Sequence, residues 1–228
     1  MSRRAASLPP PPPPVHIRTW PDDTAMLTDR AGVLGWLVGR SMGPARLTQY
    51  VLLVVGVQFG WLMAGGALRA LADEGTADPL ALPLIALLAA FGLGAMTACG
   101  IVLGLLLRRD GAMRRLIHQW AALASDPVRD ARLRLPVVSL CWLLVSFLAG
   151  AFGLWLALET PASARRGEDT YADVTYFMGA GTLFWIAGLI GATKAVAHYR
   201  WAVRLTTAKT TASAPARTAG TPGGDRGR

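Results

Sequence analysis

A charge held inside hydrocarbon is expensive, so it is the first place to look for chemistry in an apolar chain. Lys194 is the one charged residue that falls within a long apolar stretch rather than at its margin, close to that stretch's C-terminal end. A lysine at such a depth can extend its ammonium group to the headgroups. That is its expected role, with an ion site as the sharper alternative. No Asp, Glu or His lies near the centre of any apolar stretch, whereas proton-coupled transport normally needs one.

The remaining polar groups in the apolar stretches are neutral. Gln58 and Ser146 lie at the centres of the first and third stretches, Thr97 and Thr182 within about a turn of the centres of the second and fourth, and Trp61 and Trp185 near them. An amide or indole N–H in hydrocarbon seeks a partner, and each interhelical bond is worth roughly 0.6–2 kcal/mol. These residues are expected to face inward as one polar layer holding the helices together. The alternative is that they line a permeation or ligand cavity.

Signatures of enzymes are missing: there is no HExxH, no GxSxG and no Walker lysine. His16, His118 and His198 are scattered through a tail and two boundaries. Cys99 and Cys141 sit in apolar surroundings with no CxxC and no neighbouring His, which reads as small buried side chains rather than a disulfide framework or zinc site. The embedded Glu of small multidrug exporters and the paired cysteines of four-helix disulfide-forming oxidases are both absent. No catalytic residue, metal or cofactor is expected.

These residues are carried by apolar helices. Hydrophobic residues make up 53% of the 228-residue chain and charged residues 16%, against about 25% charged in a soluble domain. Lipid explains the deficit, because a surface facing hydrocarbon needs no charged coat. Four spans are expected, at about 47–71, 80–107, 136–158 and 174–198. Gly56 and Gly60 form a GxxxG pair in the first and Gly100 and Gly104 a second in the next, spacing that lets another helix, or another copy of the chain, approach closely.

Charge distribution sets the orientation. The loop 108–135 holds Arg108, Arg109, Arg114, Arg115, Arg129, Arg132 and Arg134 against only Asp110, Asp126 and Asp130. A short basic loop is hard to translocate and stays cytoplasmic. The arm before the first span and the tail after the fourth are also basic, while the connections 72–79 and 159–173 are acidic. Both termini are therefore expected in the cytoplasm. The sequence pI near 10.7 is read as orientation signalling, and no nucleic-acid partner is expected. Only Lys194 and Lys209 are lysine among 23 basic residues, a bias that with the Ala, Gly and Pro richness suggests a high-GC bacterial genome and hence the bacterial cytoplasmic membrane.

Outside the spans, residues 1–23 carry an unbroken proline run, Pro9 to Pro14, which must be polyproline II. It is read as a disordered, solvated tail, with docking on a partner's aromatic groove as the alternative. Residues 24–46 read as an amphipathic in-plane helix at the cytoplasmic surface, capped by Asp22, Asp23 or Thr24 and ended by Gly43 and Pro44, with Met26, Val33, Leu34, Leu37 and Val38 on its apolar face. Beyond Arg109 the second span's helix continues, and Met113, Leu116, Ile117 and Trp120 recur on one face. A second short helix after Pro127 completes a basic hairpin. That face is a candidate docking platform for a partner, and Arg108, Arg109, Arg114 and Arg115 are candidate headgroup or orientation residues. The tail 202–228 is expected to be disordered.

The expected fold is thus an all-α membrane protein with four transmembrane helices in two hairpins, its four-helix domain covering 47–201. The expected function is a non-enzymatic scaffold or accessory subunit working through its cytoplasmic hairpin and arm. The alternative is a small oligomeric transporter or channel using the polar layer.

Overall fold

A computed structural model describes residues 8–14, 16, 20–74, 81–124, 126–131, 136–165 and 170–207. Most of the acidic connection 72–79, parts of the basic hairpin and of the loop 159–173, and the tail beyond 207 lie outside the described residues, as do residues 1–7. The described residues form six helices and no strand: α1 Asp23–Met42, α2 Pro44–Glu74, α3 Ala81–Ala121, α4 Pro127–Ala131, α5 Pro136–Ser163 and α6 Tyr171–Thr207.

Four stretches are helical, long and apolar enough to cross a membrane, the mark of a helical membrane protein. Their surfaces make the same point. Leu84, Leu87, Phe91, Val137, Leu140 and Phe147 are all more than half exposed, and water would not tolerate such a continuous apolar coat. At 1.5 Å per residue α3 is about 60 Å long, roughly twice a hydrocarbon core. It and α6 therefore project beyond the apolar zone.

Local chemistry explains the boundaries. Asp22 is the N-cap of α1, its carboxylate accepting from the Ala25 backbone N–H at 2.6 Å. Gly43 closes α1 and Pro44 opens α2, the first-turn position where its missing N–H costs nothing. Thr170 and Asp173 make a reciprocal capping box at the start of α6, Thr170 Oγ1 accepting from the Asp173 N–H and Asp173 Oδ2 accepting from the Thr170 N–H, each at 3.2 Å. Sequence places the end of the third apolar span near 158, but its helix runs through Pro161 to Ser163. Proline removes one bond from the last turn, and the Ser163 hydroxyl, donating to the Glu159 carbonyl at 2.8 Å, helps to close that turn.

Among the described residues α2 packs against α3 and α5 against α6, and the two pairs meet mainly through α2 against α6. Glycines set the closest approaches. A Cβ on Gly60 would stand 2.7 Å from the Gly92 carbonyl oxygen, and one on Gly181 would stand 2.6 Å from the Ala157 nitrogen. At the basic end, α1 folds back onto α3. Leu34, Leu37 and Val38 are buried with Met113, Ile117 and Trp120 of α3 and with Trp201 and Ala202 of α6. The face of α1 expected to rest on lipid is therefore covered by protein, because the projecting ends of α3 and α6 offer it an apolar surface.

Candidate functional site: an ion-pair knot at the basic end

Where the apolar zone gives way to the basic end, every long helix contributes to one cluster. Arg46, in the first turn of α2, donates from Nη2 to Asp110 Oδ1 on α3 at 2.9 Å. The other Asp110 oxygen takes Lys194 Nζ from α6 at 2.5 Å. Lys194 Nζ also lies 4.5 Å from the centre of the Trp142 ring on α5, close enough for a cation–π attraction. The Trp142 indole N–H donates to the Met42 carbonyl at the end of α1, at 3.2 Å. Its ring packs against Tyr50 with centroids 5.2 Å apart, and the Tyr50 hydroxyl donates to the Ala187 carbonyl.

Lys194 does not reach out to the surface as expected. It is 6% exposed, and Asp110 is 4% exposed. A buried carboxylate within hydrogen-bond reach is a better partner than a distant headgroup, because the ammonium is neutralised without leaving the helix interface. The space left in the knot is about 20 Å³, lined by Arg46, Tyr50, Asp110 and Lys194 among others, room for about one water. Both oxygens of Asp110 accept from cations. The arrangement locks helices together and offers no open acid or base to a substrate.

A second lock fixes the cap. Arg30 of α1 is fully buried and binds Asp130 of α4 through two bonds, Nη1–Oδ1 at 2.6 Å and Nη2–Oδ2 at 3.2 Å. At the opposite end of the molecule Arg69 pairs with Asp173 and lies over the rings of Tyr176 and Phe177, at 5.2 and 5.5 Å.

The polar layer expected at mid-depth does not form as one set. Gln58 faces inward and donates from Nε2 to the Ala180 carbonyl of α6 at 3.2 Å, and Trp61 donates to the Tyr176 carbonyl at 2.8 Å. Ser146 is buried but bonds the Trp142 carbonyl of its own helix at 2.6 Å. Thr97, Thr182 and Trp185 point outward. Thr182 is satisfied by the Met178 carbonyl four residues back, so a threonine inside a helix needs no partner on another helix. Among the small-residue pairs, a Cβ on Gly56 would meet the Cys99 sulfur and one on Gly60 would meet Gly92, whereas a Cβ on Gly100 or Gly104 would have nothing within 4 Å.

The expected docking face is also occupied. Met113, Ile117 and Trp120 are 1%, 6% and 5% exposed and Leu116 packs at their edge. α1 fills that stripe, so these four residues offer no apolar platform to an outside partner. Trp120 donates to the Pro10 carbonyl at 3.2 Å, and Leu8 packs on the same cluster. Residues 8–14, expected as a solvated tail, thus lie against an aromatic side chain of their own chain. Arg108, Arg109 and Arg115 are exposed, while Arg114, also exposed, borders a cleft between α3 and α6.

Asp110 is the residue of the knot that the sequence alone leaves unassigned. One acid among arginines, at the same end of the bundle as the only embedded lysine, is the available signal. Comparison of the chain with known family models, curated proteins and solved structures finds no match.

Proposed function

We propose that the chain is a non-enzymatic integral membrane scaffold or accessory subunit of the bacterial cytoplasmic membrane, with its basic end and both termini in the cytoplasm. Its working surface is the arginine face of the cap: Arg40, Arg108, Arg109, Arg115, Arg200 and Arg204, all exposed. The observation that carries this reading is that the apolar stripe and the buried ion pair beside these arginines are already occupied from within the chain. The apolar stripe on α3 is filled by α1, and Arg30 and Asp130 neutralise each other. What a partner meets is a firmly held display of guanidinium groups, which suit carboxylates bidentately. An acidic segment of another protein is the matching partner.

A reporter fused after Leu123 should be active only on the cytoplasmic side, and an exterior signal would overturn the orientation. A photo-crosslinker at Arg109 should trap a discrete partner. Arg108→Glu with Arg109→Glu and Arg115→Glu should abolish that adduct when the crosslinker is moved to Arg200, and an unchanged adduct would overturn the role of the arginine face. The transporter reading loses support from Gln58, whose amide is spent on Ala180, and from the outward Thr97. Solute flux through vesicles holding the purified chain would revive it.

A further inference from the structure

Beside the knot, a cleft of 160 Å³ opens between the end of α1, α3 and α6. Its floor is buried, formed by Lys194, Ile117 and Trp201, and its rim holds exposed Arg114 and His118. Arg114 and His118 are four residues apart on α3, and Lys194 and His198 are four apart on α6. Residues at that spacing share a helix face, so two facing pairs of nitrogen-bearing side chains line one opening.

The charge there does not balance. Among the described residues, Asp110 is the one carboxylate lining the cleft, and it is already divided between Arg46 and Lys194. With Arg114 added, three cations surround one anion. The Ser41 hydroxyl on the α1 side turns to the Val38 carbonyl at 3.2 Å, so the nitrogen-bearing side chains that line the opening come from α3 and α6. Cations gathered over a buried floor repel one another, and an anion entering the cleft relieves that repulsion.

We propose that this cleft binds a phosphate-type anion. Arg114 grips it from the rim, His118 and His198 add donors, and Lys194 supplies charge from the floor. Guanidinium matches the geometry of phosphate oxygens. The cleft lies where the apolar helices end, the depth at which a phosphodiester headgroup would sit, and its chemistry serves a free phosphate equally. The site is separate from the arginine face, because Arg108, Arg109 and Arg115 are not among its lining residues.

The test uses the full chain purified in neutral detergent. Thermal unfolding is followed against inorganic phosphate, with sodium chloride at matched ionic strength as control. It is repeated in phosphatidylcholine vesicles with and without phosphatidylglycerol. A saturable rise in Tm is expected with at least one of them. A response to phosphate assigns a free anion, and a response to phosphatidylglycerol alone assigns a headgroup. Arg114→Gln should weaken the apparent affinity about tenfold, the loss of a charge-assisted bond, and His118→Gln by less. Both side chains are exposed, so neither change should lower Tm without ligand, and Arg114→Gln should raise it slightly by relieving the repulsion. Arg115→Gln, off the cleft, should bind as the natural chain does. Absence of any rise, or an equal loss in Arg115→Gln, overturns the proposal.

Discussion

Lys194 Nζ stands 2.5 Å from Asp110 Oδ2 and 4.5 Å from the centre of the Trp142 ring, so one ammonium joins α3, α5 and α6. Asp110 holds two cations, and Lys194 holds one anion. The two ends of the pair are therefore unequal. Asp110→Asn leaves Arg46 and Lys194 without their counter-charge and should cost about 3–5 kcal/mol, the range for breaking a buried pair. Lys194→Met should cost less, since Asp110 keeps Arg46 and the thioether still packs on Trp142. The double variant should fall short of the sum of the two, because the residues are coupled. Equilibrium unfolding in mixed micelles measures all three. Equal costs for the two single variants would count against a shared carboxylate.

Arg30 and Asp130 are buried and bidentate, and they tie α1 to the short helix α4. Asp130→Asn should strand the Arg30 guanidinium in the cap, and Arg30→Met should strand the carboxylate. Either change should raise hydrogen exchange across α1 while leaving the α5–α6 pair protected, since those helices meet through their own glycines. Exchange rising equally in α1 and α5 would mean that the cap and the apolar helices unfold as one unit.

Ion pairs at the two ends of the molecule should differ in weight. The side chains of Arg69 and Asp173 are 38% and 21% exposed, and water screens such a pair to about 0–1 kcal/mol. Asp173→Asn should also weaken the capping box with Thr170. Arg69→Gln is thus the cleaner change, and its unfolding cost should stay below about 1 kcal/mol. A cost matching that of Asp110→Asn would place the main α2–α6 tie at the wrong end.

The helices are legible because apolar run length is a property of the sequence alone. α2, α3, α5 and α6 cover the four expected spans within the described residues, Asp22 and Gly43 cap α1 as their types suggest, and Pro44, expected to help end α1, opens α2. What composition does not encode is which residue faces which. Periodicity puts Met113, Ile117 and Trp120 on one face, but it does not say that Leu34, Leu37 and Val38 cover them. Both stripes are visible; their pairing depends on where α1 turns at Gly43. Thr97 and Thr182 look like Gln58 in depth, yet a threonine can satisfy itself on its own helix, as Thr182 does with Met178, and glutamine here reaches across to Ala180. The Asp110–Lys194 pair spans α3 and α6, a separation over which a single sequence carries no pairing signal.

Two glycine pairs with the same spacing should respond in opposite ways. Gly60 lies where a Cβ would stand 2.7 Å from the Gly92 carbonyl oxygen, while Gly100 and Gly104 open onto space. Backbone cannot retreat from a new methyl group as a flexible side chain can. Gly60→Val should therefore push α2 from α3 and cost about 1–3 kcal/mol or more, the range for overpacking a filled interface. Gly100→Val and Gly104→Val should leave the monomer's unfolding unchanged. They separate a second possibility, because small residues on an outward face let another copy approach closely. If the chain self-associates through that face, Gly104→Val should dissociate the oligomer in detergent without altering the fold, whereas Gly60→Val should weaken the fold first. A Gly60→Val chain as stable as the natural one would contradict the close α2–α3 crossing.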